Sequence, residues 1–232
     1  MNIRIRQAIA GLVLLGTFGV CCAQHQFAST TSINASKPGR HETRDKVGLN
    51  DLLPQLDTAR STATYERLAG SFNKLSASNR KDWLPFYYEA YCHLRLALLT
   101  ADKKLVDVYC DRAGAILGAL EQRDENNTEV MCLQALELSA RIRVNVMDRG
   151  VAYSTLSNEI LEAVLVKDPE NPRAWLLRGQ NIFNMPDIFG GGKVPAKPYF
   201  EAAVACFEKQ KNTNLKPRWG HQMANLMLEK CQ

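Results

Sequence analysis

A pair of residues with a fixed spacing recurs along the chain and constrains its fold more than any other feature. Each pair is a large apolar residue followed, four positions later, by a small one. The pairs start 45 and 44 residues apart and are Phe86 with Ala90, Met131 with Ala135, and Trp175 with Gly179. A spacing of four places both residues on one helix face, where the small residue lets a second helix approach closely. The pattern therefore predicts three repeated helical units.

A triad of residues follows each pair in the same order. The triads are Ala113, Leu117 and Leu120, then Ser157, Leu161 and Val164, then Ala196, Phe200 and Ala203. Because one helical hairpin cannot bury its own apolar face, neighbouring units stack. The sequence thus predicts an all-α fold, an α-α superhelix of helical hairpins that resemble tetratricopeptide repeats (TPR). The alternative is a generic helical bundle in which the spacing is accidental.

Breaker residues between the apolar runs set the expected bounds of the helices. No segment shows the period-two alternation of a half-buried strand. We expect a leading helix over 59–78, hairpins over 83–122, 128–167 and 172–210, and a C-terminal capping helix from Pro217 to Cys231.

Two connections inside the hairpins are long, at 145–150 and 184–193. Both join the first helix of a unit to the second, so both are expected on the same edge of the stack. Insertions collected on one edge often mark a binding face. Candidate partner-binding residues on or near these connections are Arg141, Arg149, Asn184, Phe189, Gly190, Gly191, Gly192 and Lys193.

Two tyrosines, Tyr87 and Tyr91, are further candidates for partner binding, because tyrosine makes rigid contacts in interfaces. They belong to an aromatic cluster that covers more than one face of its helix, so the core is an alternative place for them. For Arg141 and Arg149 the alternative is a surface role that complements the C-terminal end of a helix.

The run Gly190-Gly191-Gly192-Lys193 does not match a phosphate-binding loop. Such a loop needs Ser or Thr after the lysine and a preceding strand, whereas Val194 follows Lys193 and no strand is expected. We interpret it instead as a tight turn or a contact loop. The sequence shows no nucleophile elbow and no zinc-spaced Cys/His cluster. We therefore expect no enzyme activity, no metal and no cofactor.

Residues 1–23 have the features of a secretory signal peptide. Arg4 and Arg6 precede an uncharged apolar run from Ala8 to Val20, which is shorter than the roughly 20 residues of a membrane span. We expect cleavage near Ala23 and a periplasmic or secreted protein without a transmembrane span in the mature chain.

Cleavage after Ala28 and a lipid anchor at Cys21 or Cys22 are alternatives to this expectation. Residues 24–50 are rich in polar residues, and we interpret them as a flexible spacer. The repeat domain then covers residues 51–232.

Five cysteines lie beyond the signal peptide: Cys92, Cys110, Cys132, Cys206 and Cys231. We interpret most of them as small buried apolar residues. An oxidising compartment would also allow disulfides, and a bridge from Cys206 to Cys231 is the first pairing to test.

The net charge is too small to indicate nucleic acid as a partner, and we expect none. The whole chain carries a formal charge of +5, and removal of Arg4 and Arg6 with the signal peptide lowers it to +3. Neither a Lys/Arg run nor an aromatic stripe between basic residues supports nucleic-acid binding.

Three stretches resemble a family of exported, uncharacterised TPR proteins of Gram-negative bacteria. They are Trp83 to Ala90, Asn171 to Lys193 with its Phe-Gly-Gly-Gly-Lys loop, and Pro217 to Gly220. The resemblance implies a helical solenoid in the cell envelope and supplies no site residues. A TPR with a Gly-Gly loop is also faintly similar to the TPR components of TRAP-type transporters, which would imply docking to a solute-binding protein.

These features favour a non-enzymatic scaffold of the bacterial envelope that binds a protein or peptide through its concave face and the edge carrying the long connections. The alternative is a helical repeat protein that binds a small ligand or assists a transporter. An enclosed pocket of roughly 300–1,000 Å³ would favour the alternative.

Overall fold

The computed structural model describes residues 48–210 and 217–232, and within these ranges the chain forms helices and no strand. The helices are α1 (Leu49–Asp57), α2 (Thr62–Ser78), α3 (Leu84–Leu99), α4 (Lys103–Glu121), α5 (Thr128–Arg141), α6 (Val146–Lys167), α7 (Pro172–Asn184), α8 (Lys193–Lys209) and α9 (His221–Lys230). A 3₁₀ turn, Asp187–Phe189, precedes α8. The all-α prediction is confirmed. The expected signal peptide, the lipid-anchor cysteines and the spacer up to residue 47 lie outside the described residues.

Polar side chains at the turns fix where the helices begin. Ser61 accepts a hydrogen bond in the first turn of α2, as does Asp102 in α4. Asn127, Asn145 and Asn171 each accept two backbone N–H groups at the starts of α5, α6 and α7. These bonds satisfy amide groups that lack a partner inside the helix. The units therefore begin close to the predicted positions.

The beginning of the domain differs from the prediction of one leading helix over 59–78. Two helices precede the first unit, and α1 starts at Leu49. Leu52, Leu53 and Leu56 of α1 are buried, and their burial stabilises the helix although Pro54 removes one of its backbone donors.

Three helical hairpins form the expected units, α3–α4, α5–α6 and α7–α8. The small residues Ala90, Ala135 and Gly179 are all buried at the helix contacts. A methyl group on Gly179 would lie 2.7 Å from the ring of Phe200 in α8. The small position of the repeat thus sets how closely the two helices approach.

The helices form two layers. In the inner layer, α3 contacts α5, α5 contacts α7, and α7 contacts α9. Helices α4, α6 and α8 form the outer layer, where each packs against the two inner helices that flank it. This arrangement is the predicted superhelix of stacked hairpins.

The segment before α9 packs back against the start of the stack. The Trp219 indole N–H donates to the Tyr87 hydroxyl at 2.8 Å, and the indole stacks on Tyr91 with ring centroids 4.8 Å apart. The backbone N–H of Arg218 donates to the Tyr88 hydroxyl at 3.1 Å. The capping helix was expected from Pro217, but it begins at His221, and the residues before it cover α3 instead.

A buried arginine joins this segment to the second and third units. Arg173 of α7 is fully buried and pairs with Glu129 of α5 at 3.2 Å. Its guanidinium also donates to the Pro217 carbonyl and to the Gln210 side chain, and it lies 5.5 Å from the centroid of Trp219. The inner face of the superhelix is therefore packed interior and not an open groove.

Candidate functional site

Three turns lie on the same edge of the stack, because each joins the first helix of a hairpin to the second. They are residues 100–102, 142–145 and 185–192, and we call this side of the molecule the loop edge. Its existence agrees with the prediction that the long connections emerge together. The connection predicted at 145–150 is shorter than expected, because residues 146–150 form the first turns of α6.

Exposed apolar side chains are concentrated at the loop edge. Of the twelve large apolar residues that are exposed in the described ranges, nine lie within a few turns of this edge. They are Leu99, Leu105, Val108, Val146, Met147, Val151, Ile188, Phe189 and Val194. Apolar patches that stay uncovered commonly mark binding surfaces, so this edge is the candidate site.

Helix α6 extends beyond the core at this edge. It has 22 residues, whereas α5 has 14, and its first buried residue is Ser157. Arg149 holds the extension against α4 through two hydrogen bonds to the Asp107 carboxylate, at 2.8 and 2.9 Å. The bonds from Arg149 hold the pKa of Asp107 below its ordinary value.

Backbone hydrogen bonds make the turn between α7 and α8 rigid. The N–H groups of Phe189 and Gly191 donate to the Pro186 carbonyl at 2.9 and 3.2 Å, and that of Gly192 donates to the Ile182 carbonyl at 3.0 Å. Such a turn presents its side chains in fixed positions, which reduces the entropy lost on binding.

The glycines of this turn are needed for its conformation. Gly190 and Gly192 have φ values of 81° and 100°, a region that other residues rarely adopt. A Cβ atom on Gly191 would lie 2.0 Å from the Met185 carbonyl oxygen. The interpretation of the glycine run as a tight turn with positive φ is confirmed.

A depression of about 570 Å³ lies beside the turn. Its lining residues are Phe183, Asp187, Gly191, Gly192, Lys193, Val194 and Pro195. Phe183 is supported from behind by an edge-on contact with Phe200, with centroids 6.3 Å apart. Ile188 and Phe189, which lie between the lining residues Asp187 and Gly191 in the sequence, are exposed, so the turn beside the depression adds further apolar surface.

A second depression, of about 390 Å³, lies away from the loop edge between α4, α5 and α6. Glu121, Glu125 and Glu137 line it together with Met131 and Ile160. Its acidic lining does not resemble the apolar surface at the loop edge.

The two candidate tyrosines are part of the core. Tyr87 is fully buried and Tyr91 is 7% exposed, and burial raises the pKa of both hydroxyls. Trp219 stacks on the Tyr91 ring and donates a hydrogen bond to the Tyr87 hydroxyl. Neither side chain is available to a partner, which corrects the proposed contact role and favours the alternative of core packing.

The two candidate arginines are occupied by carboxylates of the chain itself. Arg141 pairs with Glu137 at 2.8 Å, with Asp111 at 2.7 Å and with Asp107 at 3.2 Å. Arg149 is bound to the same Asp107. These pairs tie α4, α5 and α6 together, so both arginines are explained by structure.

The remaining candidates, Asn184, Phe189 and the run Gly190 to Lys193, do lie together at the turn. The sequence analysis did not identify their apolar neighbours Ile188, Val194 and Phe183. The available signal was the surplus of large apolar residues around the glycines, beyond what the buried faces of α7 and α8 require.

The described cysteines are all free thiols. Phe207, next to Cys206, stacks on His221 with centroids 5.4 Å apart. Cys231 directly follows α9 and lies about 15 Å along the helix axis from His221, and both Cys206 and Cys231 are free. The structure therefore contradicts a bridge from Cys206 to Cys231.

Two features are absent from the described ranges, a helix that could cross a membrane and a group of metal-binding side chains. None of the helices there is both long and apolar enough to cross a membrane. The same ranges hold no group of three or more His, Cys, Asp or Glu side chains placed to bind a metal ion.

A solved structure resembles this chain in both sequence and fold. No protein-family model and no curated protein matches the chain, so the TPR assignment stays a prediction. This solved structure is the HusA haemophore from Porphyromonas gingivalis, with 33% sequence identity and a TM-score of 0.71. The match covers 79% of this chain and 90% of the haemophore.

Proposed function

Because this chain belongs to the same family as the HusA haemophore, we propose that it is a carrier that binds haem or a closely related porphyrin at the loop edge. This proposal develops the small-ligand alternative of the sequence analysis. It also includes export by the expected signal peptide and a role without catalysis.

The apolar loop edge is the observation that carries the proposal. A porphyrin is a flat apolar ring, and the depression of about 570 Å³ is within the roughly 300–1,000 Å³ of small-molecule sites. Ile188, Phe189 and Val194 are 85%, 68% and 84% exposed. Covering a side chain of this size contributes about 1.5–3 kcal/mol.

These contributions are of the size that binding requires. Three covered side chains supply about 5–9 kcal/mol before the entropic cost of association, so the ligand must also cover the lining of the depression to bind with micromolar affinity, about 8 kcal/mol. The rigid turn lowers that entropic cost.

The hypothesis of a scaffold that binds a protein or peptide has less support. A tetratricopeptide scaffold that holds a peptide in its concave face needs that face to be open. Here Trp219 and Arg173 fill the inner face, and the free apolar surface lies at the edge.

Absorbance titration of the purified protein with haemin tests the proposal. We expect saturable binding with a shifted Soret band. Phe189→Ser and Val194→Ser are each expected to weaken binding about tenfold, because each removes about 1.5 kcal/mol or more of covered apolar surface.

Val166→Ser is the matched control, because Val166 is 79% exposed but lies near the opposite end of α6. Its affinity is expected to equal that of the unmodified protein. Absence of saturable haemin binding would refute the proposed function, and equal losses in the three variants would refute the assignment to the loop edge.

A further inference from the structure

Lys193 gives the lining of the α7–α8 depression a positive charge. It is the first residue of α8 and is exposed. Among the described residues it has no ion-pair partner within 4 Å, whereas Lys197, one turn further along, lies 3.9 Å from Glu201. The Lys193 ammonium is therefore free to meet a group of opposite charge.

The carboxylate in the same lining does not serve as that group. Asp187 lies against Gly192, where its Oδ1 atom would be 2.4 Å from an added Cβ atom. The Gly192 N–H is already bound to the Ile182 carbonyl at 3.0 Å. The lysine side chain is thus a charged group of this lining that remains available to an anion.

We infer that Lys193 binds a carboxylate of the ligand, so that the ligand is a flat apolar ring that carries at least one free carboxylate. This inference rests on the proposed function. The ring covers Phe183 and Val194, which line the same depression, and the carboxylate points toward the start of α8. Charge and apolar surface together then fix the orientation of the ring.

The expected effect is modest, because Lys193 is exposed to solvent. Ion pairs at the surface are weak and pairs that a ligand partly covers are stronger, so loss of this pair is expected to lower affinity about three- to tenfold. The effect should shrink at about 0.5 M salt, where exposed charges are screened.

Titrations with haemin and with its dimethyl ester test the inference, because the ester keeps the ring and removes both negative charges. The unmodified protein should bind haemin about three- to tenfold more tightly than the ester. Lys193→Gln should bind both ligands equally, at the affinity of the ester. Lys197→Gln is the matched control and should keep the preference for haemin.

Failure of the inference and failure of the proposed function give different results. If haemin binds but Lys193→Gln keeps the full preference over the ester, Lys193 does not hold the carboxylate. If Lys193→Gln loses affinity for both ligands by the same factor, its effect is not a charge interaction and the inference is also wrong. If neither ligand binds to the unmodified protein, the proposed function itself is refuted.

Discussion

Replacing Gly179 with alanine is expected to destabilise the protein, although alanine is the better helix former. The added methyl group would lie 2.7 and 2.9 Å from two ring carbons of Phe200. Phe200 is fully buried and contacts Phe183 edge-on, so its ring cannot move away without shifting Phe183 as well.

The size of the effect follows from two opposing contributions. Overpacking of a filled core costs about 1–3 kcal/mol, and the exchange of glycine for alanine inside a helix returns about 1 kcal/mol. The net loss is therefore about 0–2 kcal/mol. Gly118 in α4 isolates the second contribution, since an added Cβ atom there meets no heavy atom within 4 Å. Gly118→Ala should stabilise the protein by about 0.5–1 kcal/mol.

Urea unfolding followed by circular dichroism measures both variants under the same conditions. The free energies of unfolding of Gly118→Ala and Gly179→Ala should differ by about 1–3 kcal/mol, with unchanged denaturant slopes. Because Phe183 lines the depression, Gly179→Ala should also weaken haemin binding, and Gly118→Ala should not. If Gly179→Ala raises the unfolding midpoint as much as Gly118→Ala, the close packing inferred at this position is wrong.

Two more predictions concern the interior. Arg173→Met should lower the free energy of unfolding by about 3–5 kcal/mol, because it leaves the partly buried Glu129 carboxylate without its charged partner. Adding Glu129→Gln should restore part of this loss in urea titrations, and a further loss would contradict the pairing. Burial raises the pKa of the Cys110 thiol and of the Tyr88 hydroxyl, both to about 12. The unfolded chain releases these protons at lower pH, so stability should fall from about pH 9 to pH 12. Urea midpoints measured across this range should fall less steeply for Cys110→Ser, and a flat profile for the unmodified protein would refute the reasoning.

The repeat architecture could be predicted from sequence because its determinants are local. The small residues that allow close packing, such as Ala135, and the caps that start the helices, such as Asn171, act within one or two helical turns. The separate helix α1 was not predicted, and it contains Pro54, which is unfavourable inside a helix. Burial of the leucines around it outweighs that cost, and burial depends on the rest of the fold.

The candidate site could be predicted only in part, for a different reason. The glycine turn was visible because Gly190 and its neighbours form an unusual run. The burial of Tyr87 and Tyr91 could not be predicted, because Trp219, which contacts both tyrosines, is more than 120 residues away in sequence. No pattern of nearby residues reports a contact over that distance.

The same long-range contact supports our proposal that the ligand binds at the loop edge. Opening the inner face would expose the buried Arg173 and break its hydrogen bond to the Pro217 carbonyl, and loss of a hydrogen bond to a charged group costs about 1.5–3 kcal/mol. A ligand that used the inner face would have to supply this free energy before any net binding. At the loop edge the apolar side chains are already exposed, so a ligand such as a porphyrin gains their burial without disrupting the core. The closure of the superhelix by its C-terminal segment therefore favours binding at the α7–α8 turn over binding in the concave face.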